Sequence, residues 1–290
     1  MMEVVEKHDN EEVIMLQELS VPTNSDWLFR RIFGDEENIA SLQALLQAVL
    51  GLDSEDLAEI SLLNPYTRQE HAGDKYGILD VKLKTAGGKV IDVEIQVARE
   101  RYFQRRILFY LSKMVAEQMK KGDSYDVVKK AISVTILDHE LLVGSGAYHH
   151  LFCLYDAKND VSFGDILEVH TLELPKLPAS PDGTKLWDWL AFFKSKDAHA
   201  LERLAQSNEE VARVVGVYKE LSVDEKELEA YRAREKAEMD YYAGMAGARN
   251  EGVVTGRVEV ARNALSMGLD VATIAQMTGL DAEEIGRLSP

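Results

Sequence analysis

Two stretches of alternating residues, one on each side of Gly87-Gly88, constrain this chain more than any other feature of it. The first reads Leu79-Asp80-Val81-Lys82-Leu83-Lys84, and the second Val90-Ile91-Asp92-Val93-Glu94-Ile95-Gln96. Side chains of a strand point alternately to opposite faces, so each stretch sorts its apolar and polar residues onto different sides. A two-residue turn at Gly87-Gly88 pairs Leu79 with Gln96 and Asp80 with Ile95, which mixes the faces and is disfavoured. A three- or five-residue loop pairs Asp80 with Glu94, Lys82 with Asp92 and Leu79 with Ile95. That register keeps Leu79, Val81, Leu83, Ile91, Val93 and Ile95 on one face. It also sets two carboxylates side by side, with Cβ atoms about 5 Å apart and Gln96 beyond them.

Facing carboxylates repel unless a cation lies between them. Oxygen-only ligation by Asp and Glu suits Mg²⁺ or Mn²⁺. Such a metal polarises a phosphodiester, lowers the pKa of a bound water and orients an in-line attack. The same alternation also describes an amphipathic hairpin whose polar face is simply solvated, with Asp80 neutralised by Lys82 or Lys84.

Around the hairpin the pattern is that of an α/β protein. Helical spacing of apolar residues marks Asp26 to Phe33 and Ser41 to Leu50, with Gly51 as a cap. Ile60 to Pro65 reads as a short strand ended by proline. A helix is predicted over 103–121, stopping at Gly122. The nearly continuous apolar run Ala131 to Leu137 predicts a central strand covered on both sides. Further strands are predicted at His149 to Leu154 and Leu167 to Leu174. After Pro181 the chain turns helical, and Glu202 to Tyr242 is a charged helical stretch. A Gly- and Ala-rich segment, Gly244 to Gly256, reads as a hinge before a small helical unit. The predicted domains are 1–225, a charged helical linker 226–252, and a terminal module 253–290.

Composition narrows the function. The net charge is −17, unusual for a protein that binds nucleic acid. Charge is unevenly placed, however. From Glu94 to Lys121 there are seven basic residues against three acidic ones, directly after the alternating pair. The single cysteine, Cys153, excludes an internal disulfide and a thiolate metal site. His149-His150 with Cys153 offers too few ligands for zinc. No secretory signal is visible at the acidic start and no apolar run reaches the ~20 residues of a membrane helix, so a cytoplasmic location without a membrane partner is expected.

The arrangement Gly77-Ile-Leu-Asp80, a Gly-containing turn, and Val93-Glu94-Ile-Gln96 resembles the D-x(n)-E-x-Q form of the PD-(D/E)XK motif. The resemblance extends along residues 23–200. Asp26-Trp-Leu-Phe-Arg-Arg-Ile-Phe-Gly34 resembles the opening helix of the recombination-promoting nuclease (putative transposase) family. Asn64-Pro65 and Asp74-Lys75 resemble the approach to its first catalytic strand. Arg106-Ile-Leu-Phe-Tyr110, Lys121-Gly-Asp-Ser-Tyr125 and Leu172-Glu-Leu-Pro-Lys176 resemble its later motifs. The resemblance implies a restriction-endonuclease-like mixed sheet flanked by helices, with a small helical C-terminal unit. It implies a Mg²⁺- or Mn²⁺-dependent DNA endonuclease linked to recombination or mobile elements. Asp80 and Glu94 become the metal ligands, and Gln96 takes the position of the motif's lysine. Neutral Gln orients by hydrogen bonds only; Lys82 on the facing strand is a candidate source of positive charge, or else a solvated partner of Asp92. Asp26 is a candidate additional acid, or else a helix N-cap. Arg105, Arg106 and Tyr110 are candidates for contact with backbone phosphates; a buried pairing of Arg106 with an acid is the alternative. The competing function is a non-catalytic interaction protein that keeps the nuclease fold.

Val271 to Ile285 resembles a helix-turn-helix, with Thr278-Gly279-Leu280 as the turn. Its second helix opens Asp281-Ala-Glu-Glu284, which phosphates repel, so self-association or regulation is favoured over reading DNA. Leu265, Ile274, Met277, Leu280, Ile285 and Leu288 are apolar, and so short a segment rarely buries such residues alone. A homodimer assembled through 226–290 is therefore expected.

Overall fold

A computed structural model describes residues 19–63 and 80–288; the side chain of Glu238 is outside the description. The chain divides into two compact units, Met1–Leu228 and Glu229–Pro290. Asn64-Pro65, Asp74-Lys75 and Gly77 to Leu79 lie outside the described residues.

The first unit opens with α1 (Asp26–Phe33), α2 (Ile39–Leu50) and the short α3 (Ser54–Ala58). Ser25, not Asp26, caps α1, accepting from the Leu28 amide at 3.2 Å. Asp26 is thereby the first helical residue, where its charge also suits the helix dipole. Next come β1 (Ile60–Leu63), β2 (Val81–Thr85) and β3 (Val90–Gln96). Helix α4 (Phe103–Ala116) is shorter than predicted. It is followed by β4 (Ala131–Leu137), β5 (His149–Cys153), β6 (Tyr155–Asp156), β7 (Val161–Ser162) and β8 (Leu167–Glu173). Three helices complete the unit: α5 (Lys185–Lys194), α6 (Ala198–Ser207) and α7 (Glu209–Val223).

Six strands form one mixed sheet in the order β1-β2-β3-β4-β8-β5. β3, β4 and β8 are parallel; the other pairs are antiparallel. The register of the hairpin is the predicted one, with Lys82 opposite Asp92 and Val81 opposite Val93. The loop has three residues, Ala86 to Gly88, and Gly88 supplies the positive φ of 85° that closes it. β4 is buried along its whole length, as a continuous apolar strand requires.

Both faces of the hairpin are buried, and this sets the chemistry. Val81, Leu83, Ile91, Val93 and Ile95 are at most 5% exposed on one side. The other side, which carries Val90, Asp92, Glu94 and Gln96, lies under α4. Leu111 and Met114 pack with Val90 and Ala131, while Phe103 and Ile107 pack with Leu137. These four side chains recur at helical spacing, so α4 has the apolar stripe needed to cover a sheet. A separate aromatic cluster joins the helices: Phe33 meets Phe29 at 4.8 Å, Phe193 at 5.8 Å and Trp189 at 5.9 Å between ring centroids.

The long helix α8 (Glu225–Ser266) leads into the second unit, followed by α9 (Val271–Thr278) and α10 (Ala282–Gly286). Gly244 to Gly256, expected to be a hinge, lies inside α8. Glycine lowers helix propensity by ~1 kcal/mol each without ending a helix that carries enough Ala, Arg and Glu around it. The unit also buries more than its length suggests. Ile274, Leu280 and Ile285 form a core with Ala261 and Ala264 of α8, against which Leu265 and Leu288 pack. Met277 stays exposed. Among the described residues no helix is long and apolar enough to cross a membrane.

Candidate active site

Asp80 lies just ahead of β2. Its Oδ2 accepts the Ile95 amide at 2.9 Å, which fixes the carboxylate beside Glu94 as the register predicts. Its Oδ1 accepts from both Nε and Nη2 of Arg30 on α1, at 2.9 and 2.7 Å. Both charge-assisted bonds converge on one oxygen, which leaves Oδ2 to the backbone amide. Asp26, one turn earlier on α1, stands 3.9 Å from the same guanidinium. Burial raises the Asp80 pKa, Arg30 lowers it, and the charge of Asp26 adds to the rise.

Glu94 is held in a similar way by α4. Arg106 Nη2 reaches Glu94 Oε2 at 3.2 Å and Gln96 Oε1 at 3.0 Å, and Nη1 reaches Glu100 at 2.7 Å. Burial pushes the Glu94 carboxyl up to about 7; Arg106 pulls it down and Asp80 pushes it further up. Gln96 donates its Nε2 to the Ala98 carbonyl at 2.8 Å.

A third carboxylate shares the interior. Asp92 is 3% exposed and its Oδ1 has no hydrogen-bond partner. Burial first, then the charges of Glu94 and Asp80, hold its pKa well above the ordinary value. Lys82, its register partner, gives its Nζ to Glu117 instead, at 2.8 Å. A carboxyl kept protonated in the folded chain makes stability fall as pH rises past the unfolded value. Asp92→Asn is therefore expected to raise the thermal midpoint, by more at pH 8 than at pH 5. A variant less stable than the parent at pH 8 would show that the fold requires the ionised group.

Comparison with known families identifies the fold that carries these residues. The family model described as PD-(D/E)XK nuclease family transposase matches residues 23–248. The chain belongs to that family. The model described as Rpn/YhgA-like nuclease family, C-terminal HTH domain, matches residues 255–290. Searches of curated proteins and of solved structures gave no significant match.

The remaining candidates of this PD-(D/E)XK family chain fall in different places. Asp80, Glu94, Gln96 and Asp26 are brought together through Arg30 and Arg106. Lys82 is on the same face but is committed to Glu117. Arg106 turns inward to the acids. Tyr110 is half-buried against the Val90, Leu111, Met114 and Ala131 cluster, and burial raises its pKa. Arg105 alone of the three points outward, its guanidinium 5.4 Å from the exposed ring of Tyr102, which Arg101 also flanks at 5.3 Å. His149 bonds His170 at 2.9 Å, His150 bonds Ser145 at 2.7 Å, and Cys153 is exposed. Among the described residues no group of three or more His, Cys, Asp or Glu side chains is assembled for a metal.

Sequence reasoning missed Arg30 as a site residue, and it treated Asp92 only as a partner for Lys82. Arg30 follows Asp26 by one helical turn, a spacing that places both on one face; that was its only signal. The burial of Asp92 had none, because alternation does not reveal whether a polar face is covered.

In the second unit the acids at the start of α10 have a local role. The Asp281 side chain accepts from the Glu284 amide while Glu284 accepts from the Asp281 amide, each at 2.8 Å. This is a capping box, a common device for starting a short helix.

Proposed function

We propose that this chain is a divalent-metal-dependent DNA endonuclease acting in the cytoplasm in recombination or on mobile elements. The observation that carries the reading is the buried pair Asp80 and Glu94, each carboxylate balanced by a guanidinium from a different helix. Two mutually repelling carboxylates in low dielectric are a poor structural element. They make sense where a divalent cation binds between them. The donor set, oxygen only, fits Mg²⁺ or Mn²⁺. Asp80 and Glu94 would hold the ion, with Asp26 near enough to add charge. The ion supplies an activated water and a Lewis acid for the phosphodiester.

The chain's own groups then have distinct tasks. Arg106 links Glu94 to Gln96, so the position of the motif's missing lysine lies beside a permanent cation. We assign to Arg106 the charge stabilisation of the phosphate and to Gln96 the orientation of water. Lys82 orders the α4 end through Glu117. Arg105, with Arg101 and Tyr102, offers an exposed cationic and aromatic strip next to the site, suited to backbone phosphates. Arg105→Glu is expected to weaken binding to unrelated duplexes by a similar factor and to reduce its salt dependence. An effect confined to one sequence would mean base reading.

The test is incubation of the purified chain with supercoiled plasmid in Mg²⁺, Mn²⁺ or EDTA. Cleavage in metal and none in EDTA is expected; no cleavage in either metal overturns the reading. The second reading is a non-catalytic interaction protein on the same fold. It is favoured by the net charge of −17 and by the occupation of both carboxylates by arginines. A homodimer belongs to either reading, since a nuclease that cuts both strands benefits from two sites.

A further inference from the structure

The terminal unit was the expected meeting place of two copies, but Ile274, Leu280 and Ile285, three of the side chains expected to seek a partner there, are buried in the unit's own core. Met267, Val271 and Met277 of that unit stay exposed, but in the first unit an unbroken run of exposed residues that includes large apolar side chains lies along the hairpin at the end of the sheet. Among the described residues β5 is the last strand in the order and pairs only with β8. Residues 151–166 are all exposed. They include Leu151 at 53%, Phe152 at 45%, Tyr155 at 52%, Val161 at 56% and Phe163 at 81%. Folded monomers rarely leave so many large apolar side chains together in water.

The edge itself is open in a specific pattern. Tyr148 accepts the Glu173 amide at 2.7 Å, and His149 stands opposite Leu172. Residues 148, 150 and 152 therefore turn their N–H and C=O groups to β8, and His149, Leu151 and Cys153 turn theirs outward. Among the described residues no backbone hydrogen bond takes up those outward groups. Protein edges are usually blunted by Lys, Pro or an inward charge. His149 to Tyr155 has no Lys, Arg, Asp, Glu or Pro.

We propose that two copies of this chain join through β5, antiparallel and centred on Leu151. Three features select a second copy as the occupant. An edge strand that offers N–H and C=O at alternate residues is complementary to itself when reversed, so identical strands satisfy each other about a two-fold axis. The pairs are His149 with the partner's Cys153, Leu151 with the partner's Leu151, and Cys153 with the partner's His149. Second, two chains of net charge −17 repel, and a neutral strand is where they can approach closely. Third, nucleic acid has nothing to bind here: the only cation in 149–166 is Lys158, set among Asp156, Asp160 and Asp165. The pairing extends two six-stranded sheets into one and packs the exposed rings of each hairpin against the other copy. It does not depend on the nuclease reading, because it concerns a surface three strands away from β3.

The test uses the full chain. In sedimentation the wild-type protein runs as a dimer at tens of micromolar, and Leu151→Lys runs as a monomer. Leu151 is half-exposed, so the substitution costs little packing and the circular dichroism melt remains cooperative. A second variant fixes the register. Cys153 is the chain's one cysteine. Leu151→Cys combined with Cys153→Ser places two thiols across the two-fold, with Cα atoms about 5.5 Å apart. That variant is captured as a covalent dimer by a short bis-maleimide. The wild type is not, since its two Cys153 residues lie roughly 14 Å apart along the strands. A wild-type monomer at that concentration overturns the proposal. So does a dimer that survives Leu151→Lys, which transfers the interface to the terminal helices or another surface.

Discussion

Glu94→Gln, and separately Asp80→Asn, is expected to lower metal-dependent plasmid cleavage by about a thousandfold, equivalent to about 4 kcal/mol of barrier. Both replacements keep the shape of the side chain and lose the negative charge that would hold the metal. The amide variants are the informative ones. Alanine at either position leaves a gap beside a part-buried guanidinium and removes its pairing with the deleted carboxylate, Arg30 keeping Asp26 at 3.9 Å and Arg106 keeping Glu100 at 2.7 Å, which costs stability as well as charge. An alanine variant that fails to cut has therefore lost fold as well as ligand. Gln at 94 still accepts from Arg106, so the fold is kept while the charge is gone. Cleavage by Glu94→Gln at the wild-type rate in Mg²⁺ and Mn²⁺ shows that Glu94 is not a ligand. Equal loss of cleavage and of the cooperative melt returns the pair to a purely structural role.

Without metal, the protein is expected to lose stability between about pH 4.5 and pH 7, and added Mg²⁺ to restore it most at the alkaline end. The sign follows from Glu94, whose carboxyl is raised from its ordinary 4.5 to about 7 by burial and by Asp80, against the pull of Arg106. Between those values the folded chain binds a proton that the unfolded chain has released. The contribution of Glu94 to stability therefore falls as pH rises through the window, by a few kcal/mol in total, and is level above it. Asp80 and Asp92 are raised as well and act in the same direction. A divalent cation prefers the ionised carboxylate, so its binding stabilises more at pH 8 than at pH 5. Melting curves in EDTA and in Mg²⁺ across this range read both effects, and Glu94→Gln flattens the first. A Mg²⁺ shift of equal size at pH 5 and pH 8 rules out linkage between the metal and these carboxyls. Cleavage should rise through the same window, because the ligand must be ionised.

The sequence by itself determined the local geometry of the site. Alternation has a period of two and needs no tertiary knowledge. The three-residue loop at Ala86 to Gly88 then placed Lys82 opposite Asp92, and so Asp80 opposite Glu94. The central strand was legible for a related reason: seven consecutive apolar or small residues from Ala131 to Leu137 leave no face for water. The family followed from an ordered series of short motifs, not from any single one.

Tertiary structure decided what surrounds the carboxylates. α4 lays Phe103, Ile107, Leu111 and Met114 across the sheet and turns a polar face into an interior one. Burial then requires countercharge, and it comes from Arg30, fifty positions before Asp80, and from Arg106 on the covering helix. Such pairings depend on how helices dock, and no spacing along the chain specifies them. The same holds for Lys82, whose amine finds Glu117 thirty-five residues away in preference to its register partner Asp92. In the terminal unit, composition suggested a hinge, yet the glycines sit within one long helix. Helical propensity is a small local term, and the packing of Ala261 and Ala264 against Ile274 and Ile285 at the end of that helix is a larger one.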